Sequence, residues 1–395
     1  MSEFSKKTRL AFVVSHPIQY YAPIYQHFAR RDDVEIKVFF TWHAGQSPVH
    51  DRGFGISFAW DIALTNGYEF ERVPNISPEP GTHRFFGLRN PQLVQRVLAW
   101  SPDAVLVTGW AWFSHMALMY ALRHSKVKLL FRGDSHLLND SQSGLRWWAK
   151  REVLRRIYRW PAMFFETGQA NRDYFQAFGV GDERLIPCPH SIDVARFAAR
   201  GFEEEALRWR AELGISPDHV VVLFAGKFEC KKRPLELMRA LQQIVAVNCI
   251  GVMVGDGPLK AQVDSIAAER PDMFRVLPFQ NQSRMPIVYR LGDLFVLPSA
   301  YGETWGLAVN EAMASERAVL VSDKVGCAED VVDAHSGRIY RSDLPDALET
   351  ALKELISDRR KLAEMGKAAG AQSWRFDTAV VAQTIAETIV GIKSR

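Results

Sequence analysis

Two carboxylates stand eight residues apart in GETWGLAVNE, at Glu303 and Glu311, directly after the apolar run LFVLPSAY. Earlier, in AGKFECKKRP, four cations (Lys227, Lys231, Lys232 and Arg233) follow a strand-length run that ends at Ala225–Gly226. Helix N-termini ordinarily carry acidic residues because the macrodipole there is positive, so cations at that place run against the electrostatics. An anion bridging the lysines and the first helix amides would resolve the conflict. Solvated loop lysines are the plainer alternative. The carboxylates divide in the same way. A helix is expected to begin near Trp305–Gly306, with the amides of Thr304 to Leu307 aimed outward. Glu303 precedes it, and Glu311 lies roughly one and a half turns inside, at the edge of the buried stripe. Either they are solvated edge charges, or they grip a ligand at the helix N-terminus.

The surrounding pattern shows what must position them. LAFVVSH (10–16), VEIKVFFTW (34–42), DAVLVTGW (103–110) and KVKLLFRGDS (126–135) are short apolar runs separated by helical segments. That alternation predicts a parallel, doubly wound α/β sheet. Residues 43–92 read as loops or an antiparallel excursion, and 187–200 as a linker. The alternation restarts at VVVLFAG (220–226) and runs through IGVMVGDG, FRVLPF, LFVLPSA and AVLVSD before a helical tail. Ligands of such sheets sit beyond the C-terminal ends of the strands. Both charged stretches fall there. So do Ser15, His16 and Gln19 after the first strand, and Asp134 and His136 in FRGDSH. A structural role for either histidine, and an Asp134 or Ser135 helix cap, are the competing readings.

At 395 residues the chain is expected to form two domains. A net charge of +4 is no polycation, which argues against a nucleic-acid partner. Four scattered cysteines, with no C-x-x-C pair, suggest neither a disulfide framework nor a zinc site, and fit a reducing compartment. No signal peptide is expected at the N-terminus, and no apolar run approaches the ~18 residues a spanning helix needs. The expected location is cytoplasmic, at most peripheral on the inner face of a membrane. One stretch bears on that: LRWWAKREVLRRIYRWP, 145–161, sets six Arg or Lys against one Glu. On a helical wheel Trp147, Leu154, Ile157 and Tyr158 share a side, with Arg151, Arg155, Arg156 and Arg159 on the adjoining arc. Such a helix either rests on anionic lipid or packs with a charged outer face.

Together with VGDGP (254–258), PSAYGET and VGCAED (325–330), the charged stretches run in an order that resembles the family 4 glycosyltransferases, densely from about 220 to 340. That family is retaining, uses nucleotide sugars and has the GT-B fold, two doubly wound Rossmann-like domains facing each other across a cleft. The resemblance implies an acceptor-side domain over 1–195, a nucleotide-sugar domain over 196–373, and a terminal helix, 374–395, crossing back onto the first domain. It implies that Lys227, after Gly226, and Lys232 hold the donor diphosphate. Glu311 would bind the ribose hydroxyls, and Glu303 would stand near the donor sugar. The backbone amides of Thr304, Trp305, Gly306 and Leu307 would meet the distal phosphate and sugar, and Asp256 and Gly257 the nucleotide. His136 would contact the donor sugar or shape the acceptor pocket, with Ser15, His16, Gln19 and Asp134 as acceptor or cleft residues. No metal and no cofactor beyond the nucleotide-diphospho-sugar is implied. HPIQYYAP resembles a bacterial subgroup linked to surface-polysaccharide assembly, whose acceptor would be a glycan or a lipid-linked sugar. Trp305 stands where the family commonly has phenylalanine, and Glu316–Arg317 where a glycine is common. A GT-B epimerase, or a non-catalytic nucleotide-sugar-binding subunit, remains the alternative.

Overall fold

The computed structural model describes residues 7–42, 49–51, 56–138, 144–244 and 248–393, which fold into two compact units. The first unit takes residues 1–47, 63–190 and 378–395, and the second 48–62 and 191–377.

Seven parallel strands make the sheet of the first unit: β1 (Thr8–Val14), β2 (Val34–Phe40), β5 (Phe70–Arg72), β6 (Ala104–Thr108), β7 (Lys128–Arg132), β8 (Met163–Glu166) and β9 (Leu185–Pro187). Their spatial order is β5-β2-β1-β6-β7-β8-β9, so the winding reverses between β1 and β6. The runs are Val-, Phe- and Leu-rich because helices cover both faces. Leu10 of β1 stands beside Ile36 on one side and Ala104 on the other. The segment 70–72, read as loop, joins the sheet edge in parallel, pairing Val38 with Phe70. The C-terminal helix Thr378–Lys393 packs on the helix Ala22–Ala29 and on β1, burying Val381, Ile385 and Ile389 with Ile24 and Phe28.

Of the two readings of 145–161, packing accounts for its apolar side. The helix Leu145–Ile157 turns Leu154, Ile157 and, just beyond it, Tyr158 into the core against Phe131, Phe164 and Phe175. Apolar burial beats any lipid contact for that side. The outward side carries Leu145, Trp148 and Val153, all exposed, together with Arg155 and Arg156.

The second unit holds six parallel strands: β10 (Val220–Ala225), β11 (Cys249–Val254), β12 (Phe274–Leu277), β13 (Leu294–Leu297), β14 (Ala318–Ser322) and β15 (Gly337–Tyr340). They are ordered β12-β11-β10-β13-β14-β15, and the reversal lies between β10 and β13. Every residue of β10, β11, β13 and β14 is buried, as strands covered on two faces require. A short antiparallel pair, β3 (Val49–Asp51) with β4 (Ile56–Phe58), also belongs to this unit. There Phe58 meets Phe279 at 4.5 Å between ring centres, and Asn281 Nδ2 donates to the Ala59 carbonyl at 2.8 Å. The antiparallel reading of part of 43–92 is thus realised here.

Candidate active site

At the reversal between β10 and β13 the loops after three strands converge. β10 is followed by Gly226, whose amide donates to the Val254 carbonyl at the end of β11. The chain then drops through Lys227 into one short turn, Cys230–Lys232, and the helix Pro234–Gln242. After β11, Gly255 adopts a φ of +151°, and a Cβ there would lie 1.9 Å from the Gly226 carbonyl oxygen. Only glycine permits that approach. The Asp256 carbonyl accepts from the Phe228 amide at 2.8 Å, and the Asp256 carboxylate accepts from the Gly257 amide at 2.8 Å. The VGDG turn and the lysine loop are therefore fastened to each other.

The third loop follows β13. Glu303 pairs as an isolated parallel bridge with Val325, its carbonyl accepting from the Gly326 amide at 3.0 Å, and the Trp305 carbonyl accepts from Cys327 at 2.9 Å. A Cβ on Gly326 would meet the Thr304 carbonyl oxygen at 2.0 Å, so this contact also demands glycine. The helix starts at Leu307, just after the expected Trp305–Gly306, because Gly306 occupies the left-handed region at φ +100°. Trp305 is buried and donates from its indole to Asn310 Oδ1 at 2.9 Å. Its side chain is thus a structural anchor that fixes the loop whose backbone amides were expected to face a ligand. Its partner Asn310 was not foreseen. Among the described residues no acceptor is recorded for the Leu307 and Ala308 amides, which open the helix Leu307–Ala314 with no acidic residue in its first turn.

The charges meet at this point. Lys232 Nζ donates to Glu303 Oε2, and Ser299 Oγ donates to the same oxygen at 3.2 Å. Both charged side chains are mostly buried, 17% and 14% exposed, so each holds the other against desolvation. Ser299, held in turn by Ser322 Oγ donating to its carbonyl, was missed because a serine after a strand carries no charge signal. Glu311 is not at an edge: it is 2% exposed, and Oε2 accepts from Tyr289 Oη at 2.7 Å. Tyr289 lies on another helix, 22 residues upstream, with nothing in the sequence to link the two. Close by, Cys327 is fully buried, and burial, seconded by the Glu303 charge, pushes its thiol pKa well up, leaving it inert.

In the first unit the foreseen residues also sit after strands. Ser15 Oγ and His16 Nδ1 lie 2.9 Å apart, and the His16 ring meets Trp42 edge-on at 5.2 Å. Burial lowers the His16 pKa to about 4, so the ring is neutral at ordinary pH. Gln19 is half-buried. After β7, Asp134 is exposed and lies 3.9 Å from His190 Nε2. Among the described residues it caps no helix, the next described one being Leu145–Ile157. His136 Nδ1 accepts from the Leu138 amide at 3.2 Å. Sequence reading overlooked Arg132 and His190. Arg132, 4% exposed, donates to the Cys188 and Pro189 carbonyls at 2.7 and 3.0 Å. Burial, and secondarily Arg132, bring His190 down to about 4.

Residues 206–372 match the family model described as glycosyl transferases group 1. The D-inositol 3-phosphate glycosyltransferase of Nocardia farcinica is 31% identical over 237 residues, covering 57% of this chain and 51% of that protein. Its namesake from Streptomyces coelicolor is 30% identical over 224 residues, covering 53% and 46%. The chain thus spans about half the length of the curated relatives it matches. Among solved structures, sucrose-phosphate synthase from Thermosynechococcus elongatus superposes with a TM-score of 0.74 at 18% identity, covering 98% of this chain and 100% of that one. Anabaena HepE in complex with UDP and glucose gives 0.69 at 19% identity, covering 97% and 100%. At such identities the likeness carries the fold: two Rossmann-like α/β units of the GT-B class.

Proposed function

We propose that the protein is a retaining glycosyltransferase. It moves a sugar from a nucleotide-diphospho-sugar to a hydroxyl on a glycan, lipid-linked or small-molecule acceptor. The observation that carries this reading is the meeting of Lys232 and Glu303 at the mouth of a helix whose next turn buries Glu311. A donor's parts fit that layout. The ribose hydroxyls would donate to Glu311, and the diphosphate would lie against Lys227, Lys232 and the Leu307 and Ala308 amides. The sugar would reach Glu303. Glycosyl–diphosphate cleavage leaves negative charge on the departing phosphate, so cations and amides fixed there favour the transition state over the ground state. The acceptor hydroxyl attacks the anomeric carbon on the face the phosphate leaves, and its proton passes to that phosphate. No side-chain nucleophile is needed, and Glu303 positions Lys232 and the sugar. The two lysines meet the charge that a metal ion would otherwise meet. His136, Asp134, Ser15, His16 and Gln19 are assigned to the acceptor side.

The curated relatives are named for a D-inositol 3-phosphate acceptor, and the HPIQYYAP resemblance favours a glycan in surface-polysaccharide assembly. We place the enzyme on the cytoplasmic face of a membrane, with Leu145, Trp148 and Val153 among Arg155 and Arg156 resting on anionic lipid. Equal binding to neutral and anionic vesicles would remove that placement. The function itself is tested by thermal shift against nucleoside diphosphates and their sugars, UDP first because HepE holds it. A ligand at 100 times its Kd adds about 2.7 kcal/mol. Stabilisation by a nucleotide sugar, followed by its turnover with an added acceptor, is the expected result. Stabilisation without any turnover would instead favour a binding subunit, and interconversion of the sugar without an acceptor an epimerase.

A further inference from the structure

A charged cavity lies at the other end of the same sheet. The donor loops leave the C-terminal ends of β10, β11 and β13. This cavity, about 600 Å³, is lined by residues that precede β13 and β14 and by two helices packed beside them. Its volume falls within the range of small-molecule sites.

The charges on its wall do not cancel. Five cations line it (Arg200, Arg290, Arg317, Arg359 and Lys367) against three carboxylates. Glu203 is shared by two guanidiniums, at 3.5 Å from Arg290 Nε and 2.8 Å from Arg317 Nη2. Asp293 faces Arg210 at 3.1 Å. That leaves Glu316 as the carboxylate opposite Arg200, Arg359 and Lys367. Arg359 donates to a neutral carbonyl, that of Pro217, and neither Arg200 nor Lys367 has a hydrogen bond or ion pair among the described residues. Arg290 is fixed deep in the wall with its side chain 7% exposed, donating to the Pro286 carbonyl at 2.9 Å. Arg317 is fixed likewise, to the Ser315 and Gly292 carbonyls at 2.8 and 3.2 Å. A buried guanidinium and a mostly buried one share a single half-exposed carboxylate, which leaves positive charge that an anion would offset. Burial, with Arg317 as the next cause, lowers the Arg290 pKa, which reports the same crowding of positive charge. The remaining wall is apolar, with Ala198, Leu362 and Ala363.

We propose that this cavity is a second anion-binding site, taking a small phosphorylated molecule whose phosphate meets the guanidiniums and whose organic body covers Leu362 and Ala363. It is distinct from the donor loops, which lie about four strand residues away, on the order of 13 Å along β13.

The test titrates glucose 6-phosphate, with glucose as the uncharged control, into the full chain by calorimetry. Three proteins are compared: wild type, Arg200→Ala/Lys367→Ala, and Lys232→Ala. Arg200 and Lys367 are exposed, and unchanged unliganded melting of the double variant confirms its fold. Removing a charge-assisted hydrogen bond weakens binding by about tenfold or more, so the double variant should lose at least that much. The Lys232→Ala protein should bind as wild type does, and glucose should give no binding. The proposal is overturned if the wild type binds no sugar phosphate at millimolar concentration. It is equally overturned if binding disappears with Lys232→Ala and persists in the double variant.

Discussion

Replacing Glu311 by glutamine separates a ligand-holding carboxylate from a merely structural one. The side chain is 2% exposed and receives the Tyr289 hydroxyl at 2.7 Å, so glutamine keeps the volume and one acceptor and removes the charge. No cavity is opened, and the packing cost stays small. Hydrogen bonds to a charged group contribute about 1.5–3 kcal/mol, more than neutral ones. If ribose hydroxyls donate to this carboxylate, the nucleotide Kd should rise by about tenfold to 150-fold. Calorimetric titration of UDP, or whichever nucleotide stabilises the wild type, reads that change. Tyr289→Phe is the control. It leaves Glu311 charged and removes its protein donor, which should lower stability by about 1–3 kcal/mol while nucleotide affinity stays within a few-fold. An unchanged Kd in Glu311→Gln, with a lowered melting temperature in both variants, would refute the ribose role and leave Glu311 as a Tyr289 partner only.

Lys232→Ala should reduce kcat by about 10²–10³, the usual cost of losing one fixed donor to a developing anion, and wild-type turnover would contradict the mechanism. Gly326→Ala places a Cβ 2.0 Å from the Thr304 carbonyl oxygen. It should displace the Glu303 loop and weaken nucleotide binding while the first unit melts as before; unaltered binding would mean the loop is not held there. The folded protein keeps His16, His115 and His190 neutral down to about pH 4, chiefly through burial. Their unfolded pKa is ~6.5, so between those values the unfolded chain binds more protons and stability falls as pH falls. From pH 6.5 to 5 each histidine should cost roughly 1.5 kcal/mol, read as a lower urea midpoint. A flat midpoint across that interval, or a His115→Gln variant with the same slope as wild type, would show that these rings are not held neutral.

Much of the fold is legible because its strands are covered on both faces. VVVLFA and CIGVMV cannot alternate, and their unbroken apolar runs announce themselves. The short edges carry no such signal. Three residues, Phe70–Arg72, form an edge strand with every side chain half-buried. The pair β3–β4 is anchored by Phe279 and Asn281, more than 200 residues away. Helix 145–157 was legible as amphipathic but not as to which side faces water. Leu154 and Tyr158 are core residues only because Phe131, Phe164 and Phe175 wait beneath them.

At the candidate site, sequence exposes what is chemically odd and conceals what supports it. Lysines at a helix start and glutamates around a glycine violate local preference, so they can be found one stretch at a time. Tyr289, Ser299 and Asn310 violate nothing, yet they decide the geometry: Tyr289 orients Glu311, Ser299 shares Glu303 with Lys232, and Asn310 pins the Trp305 loop. The same asymmetry explains the charged cavity. Its arginines are scattered over four segments between Ala198 and Lys367, each read singly as an ordinary surface charge. Only the sheet, by bringing the starts of β13 and β14 beside the helix Arg359–Ser373, gathers them at one cavity, where Arg290 and Arg317 share Glu203. Two charge conflicts thus stand at opposite ends of one sheet. The loops after β10 and β13 settle theirs with a paired lysine and glutamate, whereas the cavity retains an excess of cations.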